Sequence, residues 1–155
     1  MGRMRLTKLQ DALVGVTRLG LDTDAIIDFV QADPTRGALL SEIFYRISVS
    51  QIVGFTSTIT LTETLVRPLR TGNVAQQKKI TDLLLRSHNL YSVPVDAAIA
   101  EIAADLRARY NLRTPDALQA ATALHSGCEA FLTNNDKHFR RVTDLQVLIL
   151  NELEL

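Results

Sequence analysis

Five short apolar or β-branched runs, at residues 18–21, 52–57, 90–93, 130–133 and 145–150, alternate along this chain with longer segments of helical periodicity. The helical segments cover residues 25–31, 36–48, 62–70, 74–88, 96–110 and 116–125, with apolar residues recurring three and four positions apart. The clearest lies within 97–106, where Glu101 and Asp105 fall on another face. Strands separated by helix-length connections run parallel, with the connecting helices packed on the sheet. The pattern predicts an α/β fold, a three-layer α/β/α sandwich with a mostly parallel central sheet. Pro34, Gly72, Pro115 and Gly127 stand where breaks or helix ends belong, Pro115 as a first helical residue and Gly127 as a C-terminal cap. No repeat or linker interrupts the chain, so one domain over residues 1–155 is expected, with residues 1–15 either a short helix or an arm.

Composition narrows the class. A chain of 155 residues, 46% of them apolar, buries a core without disulfides, and the lone Cys128 excludes an intramolecular bridge. Without a charged-then-apolar leader or a span of bilayer length, a cytoplasmic protein rather than a membrane protein is expected. Seventeen basic residues balance seventeen acidic ones, which speaks against a protein that coats nucleic acid through bulk charge. Phosphates can still be held locally, with Arg67 and Arg70, Lys78 and Lys79, Arg107, Arg109 and Arg113, or Lys137, Arg140 and Arg141 as the available groups.

Four acids share one structural address. Asp22 ends the first strand run; Glu63 follows the second by a short turn; Asp116 opens the helix after Thr114-Pro115; Asp136 follows the run ending at Thr133. In a parallel sheet these strand ends gather along one edge, where such folds bind ligands. Each acid also has a purely structural explanation. Thr60 to Glu63 reads as a capping box, Asp22 and Asp116 suit helix starts, and Asn134, Asn135 and Asp136 suit a turn. Several carboxylates packed together stay ionised only when a cation shares the site. Oxygen-only donors favour Mg²⁺ or Mn²⁺ over zinc, and His88, His125 and His138 are scattered and read as structural or surface residues. Divalent ions on such a site support displacement at phosphorus, which is nuclease chemistry.

At these residues the sequence resembles the PIN domain, and within it the VapC-type toxins of bacterial VapBC pairs. The matching segments are Leu21 to Ile27, Ser57 to Glu63, Leu112-Arg113-Thr114-Pro115-Asp116-Ala117-Leu118, and Ala121 through Gly127 to Asn134. The resemblance implies an Mg²⁺- or Mn²⁺-dependent endoribonuclease acting on RNA, a homodimer, and an antitoxin protein that lays a segment across the active-site groove. It implies metal-site carboxylates at Asp22, Glu63 and Asp116, a supporting hydroxyl at Ser57 or Thr133, and a fourth acid after Thr133. The family's usual Thr-Asn-Asp reads Thr133-Asn134-Asn135-Asp136 here, one residue longer. Either Asp136 supplies the carboxylate or Asn135 fills its slot; Asp136 is favoured because an acid binds a divalent ion more strongly than an amide. Asp24 is read as a helix start that assists from outside the ligand set. Two alternatives stand beside this reading: a PIN-like RNA- or protein-binding module without turnover, and a haloacid-dehalogenase-type phosphatase built on Asp22-Thr23-Asp24, which leaves Glu63 and the segment around Asp116 unexplained.

Overall fold

The computed structural model describes residues 5–155. Its chain runs β1 (Thr7–Lys8), α1 (Leu9–Ala12), β2 (Arg18–Leu21), α2 (Thr23–Val30), α3 (Gly37–Ser48), β3 (Val53–Ser57), α4 (Thr58–Thr71), α5 (Val74–Arg86), β4 (Leu90–Val93), α6 (Ala97–Tyr110), α7 (Thr114–His125), β5 (Ala130–Thr133), α8 (Asp136–Phe139), β6 (Gln146–Ile149), a 3-10 turn (Leu150–Glu152) and β7 (Leu153–Glu154). The central sheet has five strands in the order β4-β3-β2-β5-β6, and every pairing is parallel. Of the 1–15 segment, the described part forms β1, which pairs with β7 at the chain's far end, and the single turn α1; residues 1–4 lie outside the described residues.

The two-residue period of a strand splits the core into two layers. Leu19, Leu21, Ala130 and Leu132 point to one face and pack with Ile26, Leu40, Ile43 and Leu84 from α2, α3 and α5. Phe55 and Phe131 point to the other and pack with Ile99, Leu106 and the alanines of α7. Helix α7 lies close on the sheet because both surfaces are small there. A Cβ placed on Gly20 would come within 2.7 Å of the Ala123 Cβ and 2.9 Å of the Phe131 ring. That approach sets the depth at which the first turn of α7, with Asp116, meets the strand ends.

Two expectations change. Helix α4 starts at Thr58, four residues before the position its apolar pattern suggests, because Ser57 caps it directly at the end of β3 by accepting a hydrogen bond from the Ile59 N–H. The Thr60 to Glu63 capping box therefore does not form, and Thr60 sits inside the helix. The turn expected at Asn134 to Asp136 continues into the short helix α8, capped by the Asn135 side chain on the His138 N–H. Gly72 and Gly127 adopt the positive φ that helix ends call for. Among the described residues no helix is long and apolar enough to cross a membrane.

Candidate metal centre

The carboxyl ends of β2 and β5 and the first turns of α2 and α7 meet at one edge of the sheet. Asp22, the cap of α2, receives the Thr23 N–H at 2.9 Å. Its other oxygen accepts the Thr133 hydroxyl at 2.7 Å. Asp24, in the first turn of the helix, accepts the Asn134 N–H at 2.9 Å and lies 3.4 Å from the same Thr133 oxygen. One hydroxyl thus faces two carboxylates, with a single proton to give. Its lone pair is used in turn by the Asn135 N–H at 3.0 Å.

This crowding has an electrostatic consequence. Burial, then the charge of Asp24, and more weakly that of Asp116, push the Asp22 carboxyl up to about 7, against the lowering effect of its bonds to Thr133 and Thr23. Asp24 is raised as well, chiefly by burial, although the Asn134 and Ala25 N–H groups pull the other way. The Asp24 Oδ1 atom is buried and has no hydrogen-bond partner among the described residues. A buried, unpaired carboxylate oxygen beside a second carboxylate is costly unless a cation is shared between them. The oxygen-only donor set suits a hard divalent ion.

Asp116 and Glu63 are held slightly apart from this pair. Asp116 is buried at the start of α7, and its oxygens are occupied by Arg113, through Nε at 3.0 Å and Nη2 at 3.4 Å. His138 Nδ1 also stands 3.0 Å from Asp116 Oδ2, and 2.7 Å from Asn135 Nδ2. A histidine expected to be structural thus touches the acidic edge. Glu63, exposed on α4, accepts the Thr23 hydroxyl at 2.9 Å. As placed, no three Asp, Glu, His or Cys side chains among the described residues form a finished metal cage, which accords with Asp116 turned onto Arg113 and Glu63 tied to Thr23.

A buried polar core supports that arrangement. Gln119, one turn beyond Asp116, donates through Nε2 to Thr60 at 2.7 Å and to Thr23 at 2.9 Å, and Thr60 bonds Thr56 at 2.7 Å. From the sequence Thr60 read only as a capping residue, Thr23 only as the neighbour of Asp22, and Gln119 had no role; the available signal for Gln119 was a carboxamide set among the buried alanines of α7. Ser57 caps α4, and its N–H points at Gln119 Oε1 at 3.4 Å. Asp136 lies elsewhere: it is exposed, its carboxylate is bound by Arg140, which also binds Glu152, and no described contact joins it to Asp22, Asp24 or Asp116. Of the basic groups named from the sequence, Arg113 reaches the acids, while Arg109 is engaged by Asp105 and Asp144 and Lys78 by Asp82. A cavity of about 760 Å³ opens beside Glu63, between α2, α4 and α5, lined by Ile27, Gln31, Arg67, Asn73 and Gln76 among others.

Comparison with known proteins places this geometry. The family model described as "PIN domain" matches residues 20–145. Among solved structures, the fold is similar to a chain of a toxin–antitoxin complex from Klebsiella pneumoniae, at 24% identity and a TM-score of 0.66, covering 86% of this chain and 98% of that one. It is likewise similar to a chain of VapBC2 from Rickettsia felis bound to a promoter DNA fragment, at 18% identity and a TM-score of 0.69, covering 86% and 98%. A chain of VapBC-1 from nontypeable Haemophilus influenzae aligns at 23% identity and a TM-score of 0.63, covering 87% and 99%. No curated protein sequence matches the chain.

Proposed function

Because this chain belongs to the PIN-domain family, we propose that it is a metal-dependent endoribonuclease, with Asp22, Asp24, Asp116 and Glu63 holding Mg²⁺ or Mn²⁺. The observation that carries the reading is the Asp22 and Asp24 pair, bridged by the Thr133 hydroxyl and leaving Asp24 Oδ1 buried and unpartnered. When bound, such a cation neutralises charge at a phosphodiester and lowers the pKa of a coordinated water. The chain's own residues do the rest. Thr133 orients Asp22, Gln119 fixes Thr23, and Thr23 aims Glu63 at the same edge. Asp24 takes the fourth acidic place that the sequence assigned to Asp136, because Asp24 shares the Thr133 hydroxyl with Asp22 whereas Asp136 is exposed and bound to Arg140.

The groove beside Glu63 gives an RNA strand room to approach. By analogy with its neighbours in fold, described as toxin–antitoxin complexes, the protein acts as the toxin of such a pair, with an antitoxin segment covering this groove. It acts as a homodimer. The test is cleavage of RNA by the purified protein in Mn²⁺, with Asp116→Asn as the control. Cleavage that stops on chelation and in the variant supports the reading. RNA bound but left intact by a folded, Mn²⁺-supplied protein would favour the binding module without turnover.

A further inference from the structure

The cation that now answers the acidic edge belongs to the chain itself. Arg113 precedes α7 and lies three residues from Asp116; its guanidinium spans both oxygens of that carboxylate. The two side chains differ sharply in exposure, 67% for Arg113 and 9% for Asp116. Because Arg113 is largely exposed, solvent screens the pair and limits what it adds to the hold on α7. The Arg113 charge is favoured first by its hydrogen bonds to Asp116, with Glu63 and Asp22 adding to it, so the guanidinium sits in the field of three of the site's acids. His138, the other contact of Asp116, shares its Nδ1 with Asn135, which leaves Arg113 as the permanently charged partner.

We propose that Arg113 is a built-in counter-ion of the carboxylate site, competing with a divalent cation for Asp116 and, once released, binding a phosphate of the RNA strand. A guanidinium carries five N–H donors in a planar fork suited to carboxylate and phosphate alike. Two of its nitrogens face Asp116 and the side chain is largely in solvent, so it can change partners without moving the backbone of α7. The inference rests on the nuclease reading and makes a prediction of opposite signs that a purely structural ion pair does not.

The experiment is calorimetric titration of Mn²⁺ into the parent, Arg113→Gln and Arg113→Lys, followed by RNA cleavage at saturating Mn²⁺. Arg113→Gln is expected to bind Mn²⁺ about tenfold more tightly, because a competitor is gone, and to show a KM for RNA raised about tenfold. Arg113→Lys, which keeps the charge without the fork, is expected to restore the parent's weaker Mn²⁺ affinity but only part of the KM. Unchanged or weaker Mn²⁺ binding in Arg113→Gln, in a protein whose circular dichroism matches the parent, overturns the counter-ion role. An unchanged KM overturns the phosphate role. Failure of parent and variants alike to bind Mn²⁺ overturns the nuclease reading and the inference with it, whereas a parent that binds Mn²⁺ and cleaves RNA leaves that reading standing whatever Arg113 does.

Discussion

Burial and the neighbouring Asp24 hold the Asp22 carboxyl well above the usual carboxylate range, and the sign of that shift can be checked in the protein's stability. Its carboxyl is raised from 3.8 to about 7 in the folded chain, so between those pH values the folded state binds more protons than the unfolded one. Stability therefore falls as pH rises from about 4 to about 7, and the full penalty applies above that range. In Asp22→Asn this loss should vanish. At pH 8, in the absence of divalent metal, the variant should be more stable than the parent, by on the order of 4 kcal/mol as an upper bound at about 1.4 kcal/mol per pH unit, yet inactive. Denaturant unfolding across pH decides it, and a variant less stable than the parent at pH 8 would make Asp22 a helix cap and little more. The same scale separates Asp24 from Asp136. Asp24→Asn should cut RNA cleavage about a hundredfold or more, while Asp136→Asn, which breaks an exposed pair with Arg140, should stay within a few-fold of the parent; the reverse pattern would return the fourth acidic place to Asp136.

Helix α7 shows how an element becomes a positioning device. Its buried residues are Ala117, Ala120, Ala121 and Ala123, with Asp116, Gln119 and Thr122 the polar ones among them. Small residues let the helix axis approach β2 at Gly20, where an added methyl has no room. Gly20→Ala should push α7 off the sheet, destabilise the fold by about 1–3 kcal/mol as overpacked cores do, and lower cleavage more than this loss of stability explains, because Asp116 and Gln119 move with the helix. Thermal unfolding read beside the rate at a temperature where the variant remains folded checks both halves. Full activity in a destabilised but folded Gly20→Ala would mean that the depth of α7 is irrelevant to the site.

Over the whole molecule, the two apolar layers leave Val66 and Leu69 of α4 and Val74 and Leu85 of α5 exposed. Both helices also carry basic residues, Arg67 and Arg70 on α4 and Lys78, Lys79 and Arg86 on α5. A two-fold homodimer that covers such faces is expected, and light scattering should report twice the chain mass at micromolar concentration, reverting to the monomer in Leu69→Glu. A parent that scatters as a monomer would refute it. Metal acts on the same scale. A cation that binds only the folded chain stabilises it by about 2.7 kcal/mol at a hundred times its dissociation constant. Mn²⁺ should therefore raise Tm, and chelator should return it to the apo value without unfolding the protein.

The strands and helices were legible because periodicity is local: Leu19 and Leu21 on one side of Gly20 and Phe131 between Ala130 and Leu132 state their faces within a few residues. Legible too was the address of Asp22 and Asp116, since a strand end and a helix start in a parallel sheet meet at one edge. The early start of α4 was hidden because its first turn is rich in threonine and β-branched residues that read as a strand's end. Hidden for a different reason were the partners of each acid. Thr133 and Asp22 are 111 positions apart, and Gln119 and Thr23 are 96, and such contacts depend on strand register, on the depth at which a helix packs and on rotamers. No run of residues encodes them locally. The sequence by itself determined that acids would gather at the carboxyl edge of a parallel sheet. Only the tertiary structure decided that Asp24 joins Asp22 there, that Asp136 turns to Arg140, and that Arg113 stands as the cation on Asp116, because each of those choices is made between side chains brought together by the fold.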